Sequence, residues 1–128
     1  MVTDPIADLL VRIQNASRVG HAHIMIPASK LKHAVATVLA REGYIAEVAK
    51  SKKTNSLQID LAYKENRPVM TGFKRISKPS RRMYAGTRDL KPVKRGHGLL
   101  VLSTPAGILT GKEAREKRVG GETLFEIW

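Results

Sequence analysis

The stretch LLVLSTPAGILTGKEAREK, residues 99–117, joins an unbroken apolar run to a turn of small residues and then to a charged segment of helix-forming composition. Leu99, Leu100, Val101 and Leu102 are apolar at consecutive positions, so both faces of an extended chain are apolar there. That pattern predicts a central strand buried on both sides. GKEAREK predicts a short exposed helix, and ETLFEIW at residues 122–128 a closing strand. Between strand and helix, Ser103-Thr104-Pro105-Ala106-Gly107 could be a nucleophile turn, a phosphate cradle or a contact surface.

Spacing excludes the first two. A P-loop needs four residues between its glycines and Ser or Thr after the lysine, so that N–H groups ring the phosphates and a hydroxyl reaches magnesium. Gly107 and Gly111 enclose three, and Glu113 follows Lys112. Ser103 lies between Leu102 and Thr104 rather than within Gly-x-Ser-x-Gly, so it is no nucleophile elbow. What remains is a polar ledge at the end of a buried strand, its hydroxyls and N–H groups able to touch ribose 2′-hydroxyls and base edges, with Gly107 permitting close approach. An ordinary capping turn would use the same residues.

The first half of the chain is regular. Thr3 or Asp4 supplies a capping oxygen, Pro5 suits the first helical position, and Ile6, Leu9, Leu10 and Ile13 recur at helical spacing up to Gly20. HIMIP is a short strand; Ser29 opens a second helix with Leu31, Val35, Val38 and Leu39 on one face, closed by Gly43. YIAEVAK, the turn SKKTN and SLQIDLAY then read as a hairpin, the second strand alternating through Leu57, Ile59, Leu61 and Tyr63. Around KENRPV the texture changes, with recurrent Pro and Gly and shorter strands. The expected fold is α+β in two small subdomains: residues 1–65 as α-β-α-β-β, and residues 66–128 as a mostly β unit with one short helix.

Charge points to the partner. The 128 residues carry a formal net charge of +12, and residues 50–98 hold fourteen Lys/Arg against three acids, where residues 1–49 hold five against four and residues 99–128 four against four. Such a concentration of one sign implies a polyanion. Lys74, Arg75, Lys78, Arg81 and Arg82 crowd together and can meet several phosphates at once. Ser29, Lys30 and Lys32 place a hydroxyl, free N–H groups and two ammoniums at a helix N-terminus, where phosphate is favoured and simple capping is also served. Aromatic residues are 5% of the chain, and Gly72-Phe73 lacks the rest of an RRM signature, so base stacking on an open sheet is not expected. No zinc finger, basic zipper or plain helix-turn-helix pattern occurs. Hydroxyls, amides and dispersed cations suit folded RNA better than a B-DNA major groove.

Enzyme chemistry finds no footing. His21 and His23 would share a strand face but lack a recognisable third ligand, His33 and His97 are isolated, and no carboxylate pair is marked out for acid–base work. With no cysteine there is neither a disulfide framework nor a thiolate zinc site. No catalytic residue, metal, cofactor or small-molecule substrate is expected. The acids near the N-terminus and the lack of a run long enough to span a bilayer lead to the expectation of a soluble cytoplasmic protein without a membrane partner.

DPIADLLVRIQNA, HIMIPASKLK, EGYI, KRISKP, LSTPAGILTGKEA and the closing VGGE, in that order and spacing, resemble the bacterial-type small-subunit ribosomal protein S-eight family over essentially the whole chain. The resemblance implies a two-part α+β protein that binds the central domain of 16S rRNA directly and early, helps organise the subunit platform, and neighbours other small-subunit proteins such as S-five and S-twelve. It implies that Ser103, Thr104, Pro105 and Gly107 form the principal RNA ledge, lined by Gly120, Gly121 and Glu122. Tyr84 and Lys78 lie alongside, and Thr3, Asp4, Pro5, Ser29 and Lys30 give an N-terminal contact. This sequence departs from the family pattern at Ala106, where Lys, Arg or Gln is common, at Gly111, where Asp is usual, and at Arg118, where Gly is frequent. Its segment SRRMYAGTRDLKPVKRGHG is more basic than usual, so Arg81, Arg82 and Arg118 would compensate through phosphates. The alternative from the residues alone is a non-ribosomal RNA-binding or nucleoid-associated protein.

Overall fold

Pro5 begins the first helix where its missing N–H costs nothing, and α1 (Pro5–Arg18) then buries Ile6, Leu9, Leu10, Ile13 and Ala16 along one face. The computed structural model describes residues 4–90 and 96–128, so Thr3 and residues 91–95 of the basic segment lie outside the described residues. Gly20, at φ +81°, turns the chain out of the helix and donates to the Ser17 carbonyl at 3.2 Å. Strand β1 (His23–Pro27) leads to α2 (Lys30–Arg41), whose N-cap Ser29 accepts from Lys32 N at 3.1 Å. Val35, Val38 and Leu39 are buried on α2, whereas Leu31, on the same face by its spacing but in the first turn, is 40% exposed. Gly43, at φ +85°, closes the helix.

Strands β2 (Ile45–Ser51) and β3 (Ser56–Leu61) form the hairpin, and β1 adds to β3, so the antiparallel order is β1-β3-β2. Leu57, Ile59 and Leu61 are buried in alternation. Tyr63 does not continue β3. It starts a second, tighter hairpin, β4 (Tyr63–Lys64) with β5 (Arg67–Pro68), and its hydroxyl donates to the His21 carbonyl. Contacts group the chain as Pro5–Thr71 and Gly72–Trp128, the latter also holding Asp4. The compositional break near residue 65 therefore falls inside this hairpin. Residues up to Thr71 stay with the first unit because Val69 N bonds the Ala62 carbonyl at 3.1 Å and Met70 is buried.

The second unit has β6 (Phe73–Arg75), β7 (Tyr84–Ala85), a 3₁₀ turn (Thr87–Asp89), β8 (Leu99–Thr104), β9 (Gly107–Thr110), α3 (Gly111–Glu116) and β10 (Gly121–Ile127). Its sheet runs β6-β10-β8-β9, with β7 also on β10. The apolar run is the central strand that its pattern predicts: Val101 and Leu102 have no exposed surface, between β10 and β9. Strand β9 was not expected, since the sequence reading placed no strand between the 103–107 turn and the helix. The helix also departs from the expectation of an exposed element. Its Ala114 is fully buried in a cluster with Leu90, Leu102 and Leu109, because a small residue lets that face of α3 settle on the sheet. A reciprocal box starts it: Thr110 Oγ1 accepts from Glu113 N, and Glu113 Oε1 accepts from Thr110 N, both at 3.1 Å.

Two glycines set how closely the strands approach. A Cβ on Gly121 would stand 2.1 Å from the Ser103 carbonyl oxygen, and one on Gly120 2.5 Å from that of Ala85. At Gly107 there is open space, but φ is +112°. Gly121→Ala is expected to cost about 3 kcal/mol or more, the range for overpacking that displaces backbone. Gly107→Ala should cost about 1–2 kcal/mol from backbone strain alone. Urea denaturation of the two variants checks the order.

Candidate nucleic-acid interface

Strand register assembles the site. Tyr84 and Ser103 both pair with Glu122, and Ser103 pairs with Ile108 on its other side, so Tyr84, Glu122, Ser103 and Ile108 form one row across β7, β10, β8 and β9. Residues directly opposite one another in a sheet project from the same face. The next row holds Ala85 beside Gly121 and Thr104 beside Gly107. The glycines expected to line an RNA ledge thus have a steric task first: without side chains at 120 and 121, Glu122 comes between Tyr84 and Ser103.

The small-residue turn is the tip of the β8–β9 hairpin. Thr104 pairs with Gly107, leaving the two-residue loop Pro105-Ala106, and residues 105–107 are exposed. The Thr104 hydroxyl, expected to face RNA, staples this loop: Oγ1 accepts from Ala106 N at 3.1 Å and donates to the Gly107 carbonyl at 2.8 Å. Among the described residues the Ser103 hydroxyl has no such partner, so it is the one that the hairpin leaves for an external ligand. The segment resembling a nucleotide loop contains no loop at all; strand β9 runs directly into the capped α3.

Beside this row is a cationic turn. Lys78 and Arg81 exchange two backbone hydrogen bonds at 2.9 Å around Pro79-Ser80, and Lys78, Arg81 and Arg82 are exposed. Ser77 holds its base. That side chain is fully buried, accepts from Met83 N at 2.8 Å and donates to the Met83 carbonyl at 3.0 Å, while Thr123 N reaches the same carbonyl at 2.9 Å. Ser77 is not conspicuous in the sequence, for its only signal is one serine before a Lys-Pro turn. After the turn the chain delivers Tyr84, 72% exposed, to the row. Arg82 Nη1 lies 3.1 Å from Glu122 Oε2 and offsets the one carboxylate that would repel phosphate there.

Arg75 belongs to the interior instead. Its Nε and Nη2 each lie 3.0 Å from the Asp4 carboxylate, its Nη1 donates to the Leu124 carbonyl, and its side chain is 8% exposed. The sequence cluster assigned Arg75 to phosphate and Asp4 to an N-terminal RNA contact; the structure spends both charges on each other. Lys74 remains exposed on β6. In the first unit, Pro5 is exposed at the start of α1, and Ser29 and Lys30 are exposed at the start of α2, with the Ser29 oxygen engaged in capping. Arg118 follows α3 in the left-handed region, at φ +56°, a geometry that a glycine would meet without strain.

Among the described residues no group of three or more His, Cys, Asp or Glu could hold a metal ion, and no helix is long and apolar enough to cross a membrane. The family model described as Ribosomal protein S8 matches residues 4–128. The chain belongs to that family. It is 47% identical to the small ribosomal subunit protein uS8 of Nitratidesulfovibrio vulgaris (strain Miyazaki F) over 128 residues covering the whole of both chains. It is 48% identical to that of Oleidesulfovibrio alaskensis (strain G20), again over the whole of both. For Roseiflexus castenholzii uS8 the identity is 48% over 99% of this chain and 98% of the relative. As a member of the ribosomal protein S8 family, the chain is a small-subunit ribosomal protein, a structural part of the ribosome and not an enzyme. That membership sets aside the non-ribosomal alternative.

The two arginines should separate in experiment. Arg75→Gln is expected to lower stability by about 3 kcal/mol, because it removes a guanidinium that bonds the Asp4 carboxylate bidentately and the Leu124 carbonyl from a largely buried site, and to leave the salt dependence of RNA binding unchanged. Arg81→Gln should leave stability within about 0.5 kcal/mol and lower the slope of log affinity against log salt by about 0.7–0.9. Denaturation and salt-titrated filter binding on both variants distinguish the two roles.

Proposed function

We propose that this ribosomal protein binds 16S rRNA directly through the face of its C-terminal unit that carries Tyr84, Glu122, Ser103 and the residues 105–107 hairpin tip. Lys78, Arg81 and Lys74 meet phosphates, Tyr84 stacks on a base or ribose, and the Ser103 hydroxyl bonds a 2′-hydroxyl or base edge. Gly120, Gly121, Thr104 and Gly107 act by shaping this face, and Arg82 by neutralising Glu122. The main support is the sheet row itself: an aromatic ring 72% exposed lies in register with a carboxylate and an unpartnered hydroxyl, beside a rigidly held cationic turn. An exposed aromatic next to cations offers a stacking face and charge together, the combination by which single-stranded or looped RNA is bound.

Pro5, Ser29 and Lys30 supply a further contact from the N-terminal unit. Binding at the central domain of 16S rRNA, a part in organising the platform, S-five and S-twelve as neighbours and a cytoplasmic setting complete the proposal, and rest on the resemblance of the sequence motifs to the S-eight family. Tyr84→Ala should weaken binding to a central-domain fragment by about 1–3 kcal/mol, the usual loss for one stacked base, with the fold intact because the ring is exposed. Filter binding with that fragment and with an unrelated rRNA domain is the check. Equal affinity of variant and parent for the central-domain fragment would contradict the proposal.

A further inference from the structure

The β4–β5 hairpin opposes two cations. Lys64 and Arg67 are direct partners across it, on the same face, and like charges so placed destabilise a hairpin. Its two-residue loop adds strain, because Glu65 and Asn66 stand at φ 53° and 63° with no glycine to relieve it. Neither cation has a carboxylate partner among the described residues, and Glu65 pairs with neither. Arg67 also lines a depression of about 380 Å³ with Arg18 from the last turn of α1, and Gln14 and Thr71 line the same depression. Arg18 likewise has no ion pair. Two arginines thus line a concavity of the N-terminal unit that Pro68 and Met70 also line, Lys64 stands beside Arg67 on the adjoining hairpin, and none of the three cations has an ion pair among the described residues.

We propose that this depression is a second RNA-backbone site, in which a phosphodiester sits between the Arg67 and Arg18 guanidiniums with Lys64 beside it. The two non-bridging oxygens of a phosphodiester accept from two donors at once, which turns the repulsion between neighbouring cations into charge-assisted hydrogen bonds. The Gln14 amide and Thr71 hydroxyl are suited to the adjoining ribose 2′-hydroxyl. A concavity of this size takes one phosphate–ribose unit rather than a folded protein surface. The site is distinct from Ser29 and Lys30, and it rests on the reading of the chain as an rRNA-binding protein.

The test uses the full chain with Arg18→Gln and Arg67→Gln, singly and together, and Tyr84→Ala as reference, on protein-free small-subunit rRNA over a salt titration. Each arginine variant is expected to weaken binding several-fold and to lower the slope of log affinity against log salt by about 0.7–0.9, with unchanged thermal stability because both side chains are exposed. Should the arginine variants bind as the parent does while Tyr84→Ala binds weakly, the second site is refuted and the C-terminal interface stands. Should Tyr84→Ala bind normally and the arginine variants weakly, the second site holds and the C-terminal interface fails. If the arginine variants bind protein-free rRNA normally but enter reconstituted subunits poorly, the depression faces an acidic protein segment and the proposal is overturned.

Discussion

No side-chain atom fits between residue 121 and the carbonyl of Ser103, where an added Cβ would come within 2.1 Å. This close passage of β10 over β8 orders the whole C-terminal unit. It lets β10 pair with β8 on one side and with both β6 and β7 on the other, so one strand carries the sheet. It also decides which residues meet: with two glycines ahead of it, Glu122 falls into register with Tyr84 and Ser103. Phe125, Ile127, Val101 and Leu102 then lock that register by burying their side chains completely. The surface features are a consequence of the backbone approach, not an independent addition to it.

Charge in this unit is divided between two uses. Arg75 lies deep in the structure, bidentate with Asp4 across 71 residues of sequence, where it satisfies a carboxylate and a strand carbonyl. Lys78 and Arg81 lie on a turn whose backbone is pinned by the buried Ser77 hydroxyl, so they are held outward at little further loss of backbone freedom. Arg82 is intermediate, half of its guanidinium fork set against Glu122. A count of basic residues in the sequence treats all of these alike; burial and partners separate the arginine bonded inside the fold from the cations exposed on the turn.

The regular elements were legible because their periods are strong. Ile6, Leu9, Leu10 and Ile13 on α1, and Leu57, Ile59 and Leu61 on β3, all face the core as their spacing predicts. The central position of β8 followed from an apolar run with no polar face. Both unexpected strand pairs turn on two-residue loops that look like irregular chain: Pro105-Ala106 hides β9, and Glu65-Asn66, which lacks the usual glycine, hides β4 and β5. In the candidate interface, the motif residues were visible but their division of labour was not. That Thr104 bonds its own turn, that Asp4 takes Arg75 and that Ser77 reaches Met83 depend on hydrogen bonds that local patterns do not encode.

Amide hydrogen exchange of the whole protein, free and bound to protein-free small-subunit rRNA, tests the central claim most directly, because it reads every segment at once. Slowed exchange on binding is predicted at residues 103–107 and 78–84, the hairpin tip and the cationic turn with its tyrosine. Unchanged exchange in both segments, with a stable complex formed, would contradict the account.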